Sequence, residues 1–218
     1  PNLAARTLAA GHARVVGLVI PMGVATMFTD PYFPMLIKGI TAACNANDYS
    51  VMLWLAEPEY ERRTINQVLH NGMIEGVVVA SVLMDDPIIQ ALIHSKMPFV
   101  LIGRHPTNPN VSYVDVDNRA SSRRLMEHLI GQGYRRIATI TGAQNMIAGS
   151  DRLLGYMDAL TQNGIPIDME MIAPGNFTEE GGYVAMQRIL PHSPQAVFVA
   201  SDTMALGALR AIQQAGLR

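Results

Sequence analysis

Residues 137–160, IATITGAQNMIAGSDRLLGYMDAL, carry a strand, a loop and a helix in succession. A β-branched apolar run stops at Thr141-Gly142, a polar loop follows, and a helical pattern begins near Ser150. A strand feeding a helix in this way presents the loop and the helix start at the carboxyl edge of a sheet, where open α/β sheets bind small ligands. Arg152 then falls in the first turn of that helix, where the macrodipole disfavours a cation. Two readings stand open: Arg152 meets an anionic or hydrogen-bond-accepting ligand, or it is a surface arginine paired with Asp151 or a nearby carboxylate.

The same alternation extends to both sides. Val15–Ile20 (VVGLVI) is a continuous apolar run, the pattern of a strand covered on both faces. A loop from Pro21 to Thr29 leads to Asp30-Pro31, an N-cap followed by proline at the first helical position. Phe33, Leu36, Ile37, Ile40 and Cys44 recur at helical spacing, so Cys44 reads as a small core residue. Further strands are predicted at 50–55, 76–80, 98–102, 111–116, 136–141, 171–173 and 196–200. Helices are predicted at 57–70, 86–95 with Asp86 as cap, 150–163, 179–190 and 202–214. One more is capped by Asn118 and buries Leu125, Met126, Leu129 and Ile130, and the last turns Ala205, Leu209 and Ile212 inward. Such β-α alternation predicts an α/β fold whose sheets are mostly parallel with helices on both faces. A weak internal echo, Val78-Val79-Ala80-Ser81 against Phe198-Val199-Ala200-Ser201, fits two similarly built halves.

At 218 residues the chain is long enough for one large or two small domains. It is 49% hydrophobic and 16% charged, and no apolar run reaches the roughly eighteen residues of a membrane span. A net charge of −2 argues against strong nucleic-acid binding by this stretch alone, since phosphate contacts need a basic face. The single cysteine excludes an internal disulfide and a multi-cysteine zinc site. The start at Pro1-Asn2, without an initiator methionine or a secretory signal, reads as a piece of a longer chain.

No cofactor, metal or nucleophile motif emerges. Gly142 and Gly149 lack the Gly-Lys-Ser/Thr of a P-loop, and the loop after the first strand lacks G-x-G-x-x-G. The six histidines show no ligand spacing, and His105 reads as a loop residue or a cleft lining. Nothing positive points to an enzyme. The informative set sits at carboxyl ends of strands: Asp30 with Tyr32 and Phe33, then Ser81, Arg104, Asp117, Arg152, Phe177, Ser201 and Asp202. Aromatic rings with polar ends suit a small ligand. Phe33 equally fits its helix's core stripe, and Asp30 and Asp202 fit helix caps.

Several pieces, in this order, resemble the LacI/GalR family of bacterial transcription regulators, whose effector domains are similar to periplasmic sugar-binding proteins. Pro1-Asn2-Leu3-Ala4-Ala5-Arg6-Thr7-Leu8-Ala9 resembles the family's hinge helix. Val116-Asp117-Asn118, His128-Leu129-Ile130 and Gly133-Tyr134-Arg135-Arg136-Ile137-Ala138 resemble the beginning of its second subdomain. Arg152-Leu153-Leu154-Gly155-Tyr156 fits R-x-x-G-Y, and 177–183 and 201–208 fit two more elements. The resemblance implies a hinge at 1–11 and two Rossmann-like subdomains, 12–117 and 118–218, flanking a ligand cleft. It implies Phe33 and Phe177 as stacking rings on opposite walls, Arg152 as a polar clamp, and the loop 143–149 as an adaptable lip. It makes Leu8, with Asn2 and Ala5, the hinge contact to a minor groove of operator DNA. A cytoplasmic homodimeric regulator sensing a sugar follows, with a purine or nucleoside as second effector and a periplasmic sugar-binding protein of a transport system as the alternative. Ser201 stands where many sugar-responsive members carry asparagine.

Overall fold

The computed structural model describes residues 13–20, 24–55, 72–80, 83–84 and 86–217. The expected hinge residues Asn2, Ala5 and Leu8, the helix at 57–70 and Ser81 lie outside them. The chain divides into two compact units, Pro1–Asp115 and Val116–Arg218.

In the first unit, β1 (Val15–Ile20) leads to α1 (Val24–Thr29) and α2 (Tyr32–Asn45). Then come β2 (Ser50–Leu55), β3 (Gly76–Ala80), α3 (Pro87–Ser95), β4 (Phe99–Ile102) and β5 (Tyr113–Val114). The strands pair in parallel in the order β2-β1-β3-β4-β5. Because strand side chains alternate, β1 feeds two cores. Val19 joins Val77, Val79 and Leu101 under Ile88, Ile89 and Leu92 of α3. Leu18 and Ile20 join Ala80 under Met27 and Phe33.

Four expectations are corrected here. The loop before Thr29 contains α1, because Met27 is an apolar side chain with a core to enter and is 4% exposed. Proline 31, not Asp30, occupies the cap position of α2, and the Asp30 carboxylate accepts from Tyr32 N at 2.9 Å. The strand expected at 111–116 shrinks to two residues: Val111 turns into the core, while Val114 and Val116 are exposed. Cys44 is half-buried at the end of its stripe, not enclosed.

The second unit runs α4 (Asn118–Gly131), β6 (Ile137–Thr141), α5 (Ile147–Gln162), β7 (Ile172–Pro174), α6 (Glu179–Ile189), β8 (Ala196–Val199) and α7 (Asp202–Gln214). Its sheet is parallel in the order β7-β6-β8. Helices α4 and α5 cover one face through Met126, Ile130, Tyr156, Ala159 and Leu160. Helices α6 and α7 cover the other through Ala185, Met186, Ile189, Met204, Ala208 and Ala211. The Tyr156 hydroxyl donates to Ile137 O at 2.8 Å, and burial, with the Asp168 charge second, pushes its phenol up to about 12.

The inward face of α7 differs from expectation. Leu209 is 53% exposed, whereas Met204, Gly207, Ala208 and Ala211 face inward. The cause is a close helix pair: a Cβ on Gly207 would overlap Glu179 O, and one on Gly182 would overlap Met204 O. Small residues let the two backbones touch, which fixes the helix rotation and leaves Leu209 outside. Asp117, not Asn118, caps α4 by accepting from Ala120 N at 2.9 Å, and Leu125 is exposed. Among the described residues no helix is long and apolar enough to cross a membrane, and no cluster could hold a metal ion.

Candidate functional site

Helix α5 leaves β6 toward one face of the second sheet and α7 leaves β8 toward the other. The topological switch point of this sheet therefore lies between the carboxyl ends of β6 and β8, the position at which open α/β sheets bind ligands. Arg152 stands there. Its Nε donates to Asn118 Oδ1 at 2.9 Å and its Nη1 to Ala200 O at 2.5 Å. Two bonds in different directions fix the orientation of the guanidinium plane.

Helix α5 begins at Ile147, three residues before the expected start, with Met146 in the cap position. Arg152 accordingly lies in the second turn, and the dipole penalty inferred from the sequence, confined to the first turn, does not apply. The polar loop narrows to 143–146.

Phe177 supplies the ring. It follows β7 through Asn176, and both residues have left-handed backbones, φ 54° and 61°. Such conformations cost about 1–3 kcal/mol each outside glycine. They are held by Thr178, whose hydroxyl accepts from Gly181 N at 2.9 Å to cap α6, and by Gly175 N donating to Thr141 O at 2.9 Å. The resulting turn lays the ring on Gly142 at the end of β6, with Arg152 Cζ 5.8 Å from its centroid. At that distance the cation–π attraction is at the edge of its range.

Ser201 and Asp202 follow directly on Ala200. The Ser201 hydroxyl caps α7 by accepting from Met204 N at 3.3 Å, and Asp202 is the helix's first residue and exposed. Arg152, Phe177, Ser201 and Asp202 thus converge on one sheet edge. Asp117 lies next to Asn118 but spends its carboxylate on the α4 cap. In the first unit, Phe33 is 4% exposed within the core, and Tyr32, 48% exposed, stands edge-on to it at 5.1 Å. Arg104 engages Asp115 through its backbone N at 3.3 Å and its guanidinium at 3.8 Å. His105 Nδ1 accepts from Thr107 N and Asn108 N, so it closes a turn.

Two participants lie outside the site set expected from the sequence: Asn118, which reads there as a helix cap, and Gly142, which reads as a strand end and fails the P-loop pattern. The adjacent pair Asp117-Asn118 held the signal, because a helix needs one cap and the second such residue is left for another role.

Comparison with known proteins adds a family and relatives. Residues 13–218 match the family described as periplasmic binding proteins and sugar binding domain of LacI family. The HTH-type transcriptional regulator CelR of Thermobifida fusca is 36% identical over 222 residues, covering 100% of this chain and 65% of the relative. The regulator AglR of Rhizobium meliloti (strain 1021) is also 36% identical, covering 100% of this chain and 62% of the relative. Among solved structures, the transcriptional regulator CelR–cellobiose complex superposes with a TM-score of 0.88 at 32% identity, covering 99% of this chain and 68% of that one. The chain thus spans less than two thirds of the length of these two relatives.

Proposed function

Since the chain belongs to the family of periplasmic binding proteins and sugar binding domains of LacI-type regulators, we propose that it is the effector-binding and dimerisation part of a bacterial DNA-binding transcriptional regulator. In this reading the protein is a cytoplasmic homodimer whose effector is a sugar or sugar derivative. Arg152 clamps a ligand oxygen, Phe177 stacks on the ring's apolar face, and Ser201, Asp202 and Asp117 offer hydroxyl partners. Of the aromatic candidates in the first unit, Tyr32 is exposed, whereas Phe33 is spent on that unit's core. Ligand binding shifts the equilibrium between two conformational arrangements of the protein, and through the hinge residues Asn2, Ala5 and Leu8 it alters operator affinity. That coupling requires the ligand to favour one arrangement over the other.

One observation carries the reading: Arg152 is oriented by Asn118 Oδ1 and Ala200 O at the switch point of the second sheet, with the Phe177 ring beside it. Such a fixed cation with an aromatic neighbour suits a polyol ring. The cellobiose bound by the similar CelR structure supports a saccharide over a purine or nucleoside.

Calorimetry of the full-length protein against cellobiose, maltose, sugar phosphates and nucleosides tests it. A saccharide should bind, and Arg152→Ala should weaken that binding at least about tenfold, the loss expected for a charge-assisted hydrogen bond. Unchanged affinity in Arg152→Ala refutes the site. The family description also covers periplasmic binding proteins, so a transport role is the second reading. Salt-dependent binding of the full-length protein to a palindromic operator separates the two.

A further inference from the structure

Asn118 has no capping duty, is only 6% exposed, and makes two hydrogen bonds in different directions. Its Oδ1 accepts from Arg152 Nε, and its Nδ2 donates to Val116 O, each at 2.9 Å. Val116 is the first residue of the second unit. A carboxamide is the short side chain that accepts at one end and donates at the other in a fixed plane. Aspartate here would accept at both ends, face the Val116 carbonyl without a proton, and neutralise the arginine from behind. Serine would be too short to serve both partners. The pair of bonds therefore makes the orientation of the guanidinium depend on the backbone where the chain enters the second unit.

We infer that Asn118 is the positioning residue of the site: it aims the Arg152 guanidinium at the effector and ties that aim to Val116. This rests on the effector role proposed for Arg152, but the tie itself is measurable without any ligand. The Nε–H of an arginine held by one acceptor gives a sharp, slowly exchanging signal in a ¹⁵N-labelled protein. Arg152→Lys identifies that signal by removing it.

The full-length protein is compared with Asn118→Ala and Asn118→Asp by nuclear magnetic resonance without ligand, and by calorimetry with cellobiose. In Asn118→Ala the Arg152 Nε–H signal should broaden or vanish, and cellobiose affinity should fall about ten- to a hundredfold, as for a lost hydrogen bond to a charged group. In Asn118→Asp the signal should persist, since an acceptor remains. In the Arg152→Ala background, Asn118→Ala should cost less than about twofold further, because its effect runs through the arginine. An unchanged signal in Asn118→Ala, or equal losses of affinity in both backgrounds, overturns the assignment. If the alanine variant does not fold, loss of the signal in Asn118→Asp overturns it. Absence of cellobiose binding by the unsubstituted protein strikes at the effector reading alone, and the ligand-free signal then decides the positioning role.

Discussion

The ring of Phe177 occupies the space where a side chain on Gly142 would stand. The contact joins the end of β6 to the turn after β7, and it sets where the ring can lie relative to Arg152. Only glycine leaves room for it.

Gly142→Ala should therefore push the ring off its seat. The obstructing atoms are the far end of one side chain, so the fold should survive with a loss of about 1–3 kcal/mol, the usual scale of overpacking. Saccharide affinity should fall about tenfold, roughly 1.4 kcal/mol. Urea denaturation and calorimetry check the two numbers, and unaltered affinity would remove Phe177 from the site.

Gly207→Ala should behave differently, because the atoms in the way are backbone: Glu179 O and Tyr183 N of α6. Alanine is the better helix former by about 1 kcal/mol. Steric overlap must outweigh that gain, so the variant should lose about 3 kcal/mol or more, or fail to fold. A stabilised variant in thermal denaturation would mean that α6 and α7 do not pack as described.

Tyr156 predicts an alkaline weakness. Its folded phenol is raised to about 12 from an unfolded value near 10, so the folded state holds the proton more tightly. The stabilisation is fully present below pH 10 and disappears as pH rises from about 10 to 12, amounting to roughly 2–3 kcal/mol. Tyr156→Phe should lose about 1 kcal/mol at neutral pH, where Ile137 O loses its donor. Across pH 10–12 that difference should vanish and reverse, which denaturation at pH 8, 10 and 11.5 measures.

Ser201 caps α7 while standing at the site. Asparagine caps a helix as well as serine does, so Ser201→Asn should change stability by only a few tenths of a kcal/mol. Its longer amide should alter the ranking of disaccharides in a binding panel. A ranking identical to that of the unsubstituted protein would place Ser201 outside ligand contact.

Much of the architecture was written in apolar runs. Val15–Ile20 and Asp202–Gln214 have the bounds expected from patterning. The echo between Ala80-Ser81 and Ala200-Ser201 belongs to β3 and β8, which hold the same place in the orders β2-β1-β3 and β7-β6-β8. What escaped depends on contacts distant in sequence. The start of α5 has no capping side chain to advertise it, and Ile147 is drawn into helix by its own burial. Leu209 looks like a core residue until Gly207 meets Glu179. Arg152 was singled out for a dipole conflict that its second-turn position removes, yet its bonds to Asn118 and Ala200 make it the centre of the candidate site.

The backbone contact of α6 with α7 through Gly182 and Gly207 makes one stiff block of the two helices, braced at its surface by Arg210 reaching Glu179 and Glu180 at 3.1 and 3.0 Å. Thr178 stands at the head of one helix and Ser201 at the head of the other. The gap between Phe177 and Ser201 is therefore a rigid gauge. On the proposed effector role, ligands of different breadth would be accommodated by exchanging side chains at its two jaws, a matter of substitution and not of flexing.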